Sequence, residues 1–130
     1  MTENNEKGLK TETSITEVVF PSMVNQYGTL FGGNALQWMD KAAWICATRF
    51  SRKMMVTIAS DRVEFKRPVI KGDMVELCAR VKKVGRTSVT IDVFMYSEKA
   101  LSGKRELATK GEFVMVAVND QGQSIPVIDQ

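Results

Sequence analysis

The chain has 130 residues, 18 Lys and Arg against 15 Asp and Glu, a formal charge of +3, and no histidine. That length suits one domain with a single core, and the mild charge, with no long block of one sign, excludes a nucleic-acid footprint while tolerating an anionic ligand. Without histidine there are no His triads, His-bound metals or imidazole acid–base steps, so proton transfer falls to Asp, Glu, Lys, Tyr or a bound water.

Residues 1–12 are polar and aperiodic, and a flexible N-terminal tail is expected there. This start lacks the apolar core of a signal peptide, and no stretch approaches 18 apolar residues; a cytoplasmic protein without membrane insertion is the expectation. Thr13 to Phe20 is β-branched and partly alternating, a first strand closed by Pro21. Ser22 to Phe31 is a polar loop holding Asn25, Gln26 and Tyr27. The Gly-rich run from Tyr27 then leads into the only long segment with a 3.6-residue period, ending near Phe50. A helix of about 17 residues is roughly 25 Å long. At 100° per residue Leu36, Trp38, Met39, Ala42, Ala43, Ile45, Cys46, Ala47 and Phe50 share a wide apolar arc, with Gln37, Lys41 and Thr48 opposite. Asp40 falls at the edge of the arc. Such a carboxylate is either solvated, as most helical Asp residues are, or held for a purpose.

Met54 to Phe65 is a long strand whose charged members Asp61, Arg62 and Glu64 break alternation, which predicts a bulge or a polar site. Pro68 and Gly72 mark a turn region. Met74 to Val84 alternates cleanly, with Val75, Leu77, Ala79 and Val81 on one face. Val84-Gly-Arg-Thr is a hairpin connection to a return strand over Thr87 to Tyr96. Leu107 to Val118 is a final strand in which Gly111 marks a bulge or a close helix crossing. Residues 119–130 read as a polar C-terminal tail with an Ile125-Pro-Val-Ile128 remnant, leaving a single domain over 13–118. Cys46 and Cys78 lack metal-like spacing and read as free thiols. The order predicts an α+β fold, a curved antiparallel sheet wrapped around one long helix. Its exposed edge predicts a homodimer.

A glycine pair at a helix start aims free N–H groups and the positive end of the helix dipole at what approaches. Gly32-Gly33 therefore suits an anion or a developing oxyanion, or else is simply a tight turn. It is no nucleotide-binding signature, since the P-loop Lys and dinucleotide glycine spacing are absent. Basic residues at strand ends and turns, Lys66, Arg67, Lys71, Lys82, Lys83 and Arg86, form a solvated rim or hold a phosphorylated carrier.

Four motifs in order carry a family resemblance: Asn25-Gln-Tyr-Gly-Thr-Leu-Phe-Gly-Gly33 with Met39-Asp40, Phe65-Lys-Arg-Pro-Val69, Gly72-Asp73, and Val84-Gly-Arg-Thr-Ser-Val89. From Ile15 to about Val118 the chain resembles the hotdog-fold acyl-CoA hydrolases, the cytosolic thioesterases of the YciA type. The resemblance implies hydrolysis of an acyl-CoA thioester to a free carboxylic acid and coenzyme A, with no cofactor or metal beyond the coenzyme A of the substrate. It implies a catalytic homodimer, often a trimer of dimers. Asp40 is then the catalytic carboxylate, Asn25 its partner from the other subunit, and Gly32 and Gly33 the oxyanion donors. Arg67, Lys71, Arg86, Thr87 and Ser88 are the expected coenzyme A contacts, with Met39, Trp44 or Met55 setting acyl length. Family members often carry a histidine in the loop where Asn25-Gln-Tyr stands. Two other readings are a non-catalytic acyl-CoA or lipid binder and a hotdog dehydratase, which usually needs the histidine this chain lacks.

Overall fold

A computed structural model describes residues 9–129. In chain order the elements are β1 (Glu12–Val18), a 3-10 turn (Pro21–Met23), α1 (Gly32–Ser51), β2 (Met54–Phe65), β3 (Met74–Val84), β4 (Ser88–Glu98) and β5 (Arg105–Val118). The strands form one sheet in the order β1-β3-β4-β5-β2, with every neighbouring pair antiparallel. The helix contacts all five strands. This is the hotdog fold, an α+β sheet curved around a central helix.

The alternation predicted for β3 and β4 sets which side faces the helix. Val75, Leu77 and Ala79 of β3 and Val89, Ile91, Val93 and Met95 of β4 are buried, joined by Phe113, Met115 and Ala117 of β5. They meet Ala35, Trp38, Met39, Ala42, Ala43, Cys46, Ala47 and Phe50 of α1. Four alanines on this face let the helix backbone lie close to a concave sheet without overpacking. The helix has 20 residues, starting at Gly32 and ending in Arg52, a left-handed cap at φ 56° whose N–H bonds Thr48 O at 2.6 Å. Leu36 and Trp44 of the expected apolar arc are 37% and 46% exposed, because the sheet covers a narrower stripe than the sequence offers.

Strand β2 is the irregular edge. Its register with β5 slips between Thr57 and Ala59 and again between Asp61 and Glu64, where the alternation fails in sequence. Arg62 in the second bulge is left-handed, at φ 52°. Gly111 lies opposite this bulge: a Cβ there would sit 3.0 Å from Val63 Cγ2 and 3.5 Å from the Met39 methyl, so both strand bulge and helix press on it. Residues beyond Val118 turn back onto the domain. Val127 is fully buried in the core, Ile125 N–H bonds Ala117 O and Val127 N–H bonds Arg86 O, each at 2.9 Å. Lys53 Nζ reaches both Pro126 O and Asp129 Oδ1 at 2.6 Å. The Ile125 to Ile128 segment is thus an anchor, since burying one Val side chain contributes about 1.5–3 kcal/mol. At the other end, Val81 N–H bonds Thr11 O, so packed chain begins before β1; residues 1–8 of the expected tail lie outside the described residues.

Candidate active site

Asp40 sits in the middle of α1, half-buried, two helical turns after Gly33 and on the same stripe. Its Oδ1 accepts a hydrogen bond of 2.7 Å from the Thr57 hydroxyl of β2. The Thr57 oxygen also lies 3.2 Å from Met115 Sδ, which fixes its rotamer from the core side. Thr57 directly precedes the first register slip, so the bulge helps turn its hydroxyl to the helix. One carboxylate oxygen, Oδ1, is thereby held. Sequence reading missed Thr57, since the broken alternation of β2 falls later, at Asp61 to Glu64.

Asn25 opens a small hairpin between Met23 and Phe31. Its Oδ1 accepts from Tyr27 N–H at 2.9 Å, Thr29 N–H at 3.2 Å and the Thr29 hydroxyl at 3.1 Å. Its backbone exchanges bonds with Thr29 and Gly28, the latter at φ 80°. The carbonyl end is thus committed to the loop, which leaves the Nδ2 amide, a donor, as the other end of the side chain. Asp40 lies about 12 Å along the helix from Gly32, and the Asn25 loop lies beyond that start. Among the described residues no hydrogen bond joins Asn25 to Asp40.

The helix start has no side-chain cap and no acidic residue in its first turn. Its first helical bond runs from Ala35 N–H to Phe31 O, and no described acceptor meets the N–H of Gly32 or Gly33. A Cβ at Gly33 would meet nothing within 4 Å, whereas one at Gly32 would lie 3.7 Å from the Phe65 ring. Gly33 is therefore the open position. Phe31 N–H and Asn34 Nδ2 both donate to Met23 O, which ties the loop to the helix start. A groove of about 260 Å³ runs past Thr29, Leu30, Gly32, Phe65 and Arg67.

The coenzyme A candidates do not form one cluster in the chain. Arg67 and Lys71 follow β2 at one end of the sheet; Arg86, Thr87 and Ser88 cap the β3–β4 hairpin at the other. β4 separates these ends by roughly 25–35 Å at about 3.3 Å per residue. Arg67 faces Glu106 at 3.9 Å, and Thr87 O accepts from Ala117 N–H at 3.0 Å. Met39 and Met55 are core residues, leaving exposed Trp44 as the member of that expected trio that faces outward. Leu36, Asp40 and Trp44, four apart, form one stripe along the helix. No group of three or more metal-ligating side chains occurs among the described residues. A larger depression of about 560 Å³ near Arg49, Cys78, Arg80 and Phe94 contains none of these site residues.

Residues 27–104 match the Thioesterase superfamily. The chain is 37% identical over 112 residues to an uncharacterized acyl-CoA thioester hydrolase, YkhA, of Bacillus subtilis, covering 86% of this chain and 65% of that protein. It is 33% identical over 119 residues to the acyl-CoA thioester hydrolase YciA of Salmonella typhimurium, covering 89% and 90%. A hexameric broad-specificity acyl-coenzyme A thioesterase superimposes with a TM-score of 0.85 at 30% identity, covering 89% of this chain and 86% of that one. The acyl-CoA hydrolase of Staphylococcus aureus, solved as Asn, Asp and Thr to Ala mutants, gives TM-scores of 0.83 to 0.84 at 27% identity. The mutant structures cover 90–91% of this chain and 72% of those chains. Solved also with butyryl coenzyme A and coenzyme A, that hydrolase gives 0.82 at 28%. The chain belongs to the hotdog-fold acyl-CoA thioester hydrolase family of the YciA kind.

Proposed function

We propose that the chain hydrolyses acyl-CoA thioesters at a site built from two subunits: Asp40 and Thr57 from one, Asn25 and the Gly33 N–H from the other. The observation that carries this reading is the Thr57–Asp40 hydrogen bond, supported by an Asn25 whose carbonyl end is committed to its own loop. In the Staphylococcus aureus hydrolase the mutated Asn and Asp are 15 residues apart and the Asp and Thr 17 apart. Asn25, Asp40 and Thr57 have the same separations here.

In the proposed reaction Asp40, oriented by Thr57, takes a proton from water as the water oxygen attacks the thioester carbon. The carbonyl oxygen gains charge and is met by the Gly33 N–H at the positive end of the helix, with the Asn25 amide donating to the same centre. Collapse of the tetrahedral intermediate breaks the C–S bond. The coenzyme A sulfur leaves, taking up the proton that Asp40 received, and the free acid remains.

Edge strand β2 supports the dimer. It is unpaired on its outer side and presents Met54, Val56 and Ile58 to solvent, Ile58 at 61% exposure. Two β2 strands paired antiparallel reverse one subunit relative to the other. That brings the Asn25 end of one toward the Asp40–Thr57 region of its partner, and Arg67 and Lys71 of one to the sheet end that carries the partner's Arg86 turn. Phosphates of coenzyme A would then be held by Arg67, Lys71 and Arg86, with Thr87 and Ser88 assisting, and the acyl chain would lie along the Leu36–Trp44 stripe. A trimer of such dimers is supported by the hexameric state of the similar thioesterase.

The test is thiol release from acyl-CoA substrates from acetyl to palmitoyl. Wild-type protein is expected to release coenzyme A from at least part of this series, and Asp40→Asn to lose about 10²–10⁴-fold in kcat, the usual worth of a general base. Binding without thiol release at any length would instead make the chain an acyl-CoA binder.

A further inference from the structure

Among the described residues Asp73 is the one charged side chain fully buried in the fold, at 4% exposure. It belongs to the turn between Ile70 and Asp73, where Gly72 adopts φ 92°. Both of its carboxylate oxygens lie 3.1 Å from Lys99 Nζ, and Oδ2 also accepts Ile70 N–H at 2.9 Å. Asp73 N–H returns a bond to Ile70 O at 3.0 Å. A turn this short closes without a buried charge, and burying one costs free energy unless it is paired. A buried charge here therefore points to a need for fixed geometry.

That geometry leads to the site. Ile70 pairs with Thr29 as an isolated β-bridge, Lys71 N–H bonds Gly28 O at 3.0 Å, and Leu30 N–H bonds Val69 O at 2.7 Å. The N–H and hydroxyl of Thr29 are two of the three donors on Asn25 Oδ1. A continuous path thus runs from Lys99 through Asp73, Ile70 and Thr29 to Asn25, and the same turn carries Lys71. We infer that the Asp73–Lys99 pair is a positioning device that sets the Asn25 amide and Lys71 together. The inference rests on the role proposed above for Asn25. Displacing such a group by about 1 Å can cost 10²-fold in rate.

The test compares Asp73→Asn, Lys99→Met and Lys99→Arg in wild-type and Asn25→Ala backgrounds, with kcat and KM measured on butyryl-CoA and folding followed by thermal melts. Asp73→Asn and Lys99→Met are expected to lower kcat about 10-fold and to raise KM severalfold while still melting cooperatively. Lys99→Arg should restore most of the rate. In the Asn25→Ala background Asp73→Asn should lower kcat less than about twofold further, because both changes remove one contribution. Unchanged kcat and KM, or a full 10-fold loss on top of Asn25→Ala, would overturn the inference while leaving the role of Asn25 intact. Wild-type kcat in Asn25→Ala alone would overturn that role and the inference with it. Should Asp73→Asn fail to fold, Lys99→Met, half-exposed, carries the same comparison.

Discussion

The division of labour between the two ends of the Asn25 side chain gives the sharpest distinction at the residue scale. Its oxygen holds the loop, and its nitrogen is the end that the proposed function gives to substrate. Asn25→Asp keeps the acceptor and removes the donor, so its melting temperature should stay within a few degrees of wild type while kcat on acyl-CoA falls about 10–100-fold. Equal loss of stability and rate would show that the side chain is only a loop brace. Thr57→Ala removes one hydrogen bond to a carboxylate, worth about 1.5–3 kcal/mol. Steady-state kinetics should therefore show kcat reduced about 10–100-fold, less than for Asp40→Asn, with KM little changed. Asp40 was legible in the sequence only as a carboxylate at the margin of an apolar arc, with a solvated reading equally available. The family resemblance implies its catalytic role. Thr57 was illegible because its partner is 17 residues away on another element, and only a bulge points the one at the other.

At the scale of elements, what the sequence disclosed follows from periodicity. The clean alternation of β3 and the 3.6 period of α1 fixed their faces, because each has one buried side and one exposed side. The broken alternation of β2 announced the bulge between Asp61 and Glu64, which packs against Gly111, but not the earlier slip between Thr57 and Ala59. The Ile125 to Ile128 segment was underrated because four residues carry no period, and its value lies in Val127 filling a place beside Arg86. That contact holds the hairpin turn from behind and leaves the Arg86 side chain exposed, as its proposed phosphate role requires. Arg86→Ala should raise KM for acyl-CoA at least several-fold with kcat nearly unchanged, and an unaltered KM would remove Arg86 from the coenzyme A site. The helix also carries a thiol with a defined pH signature. Burial pushes Cys46 up from its ordinary 9.0 to about 12, with Glu12 adding to the rise. Between about pH 9 and 12 the unfolded chain loses this proton and the folded one keeps it, so stability from this group is intact below 9 and declines above. Denaturant melts should show that decline, and Cys46→Ala should flatten it.

In the whole molecule the proposed site needs a second subunit to complete it. Leu36 and Trp44 on the helix and Met54, Val56 and Ile58 on β2 are apolar and exposed, and the two groups of coenzyme A candidates lie at opposite ends of the sheet. An antiparallel pairing of β2 edges answers all three at once. The sequence showed that an edge needed covering but not which one, since strand order is decided by long-range pairing. The most direct measurement is activity rescue on mixing two inactive variants, Asn25→Ala and Asp40→Asn, by co-expression or joint refolding. Each mixed dimer should contain one intact site, Asp40 from the first variant with Asn25 from the second. Random mixing then predicts recovery of roughly a quarter of wild-type thiol release. Recovery to this level would establish that the site is shared between subunits. Mixed dimers no more active than either parent would contradict it and place Asn25 and Asp40 in one subunit.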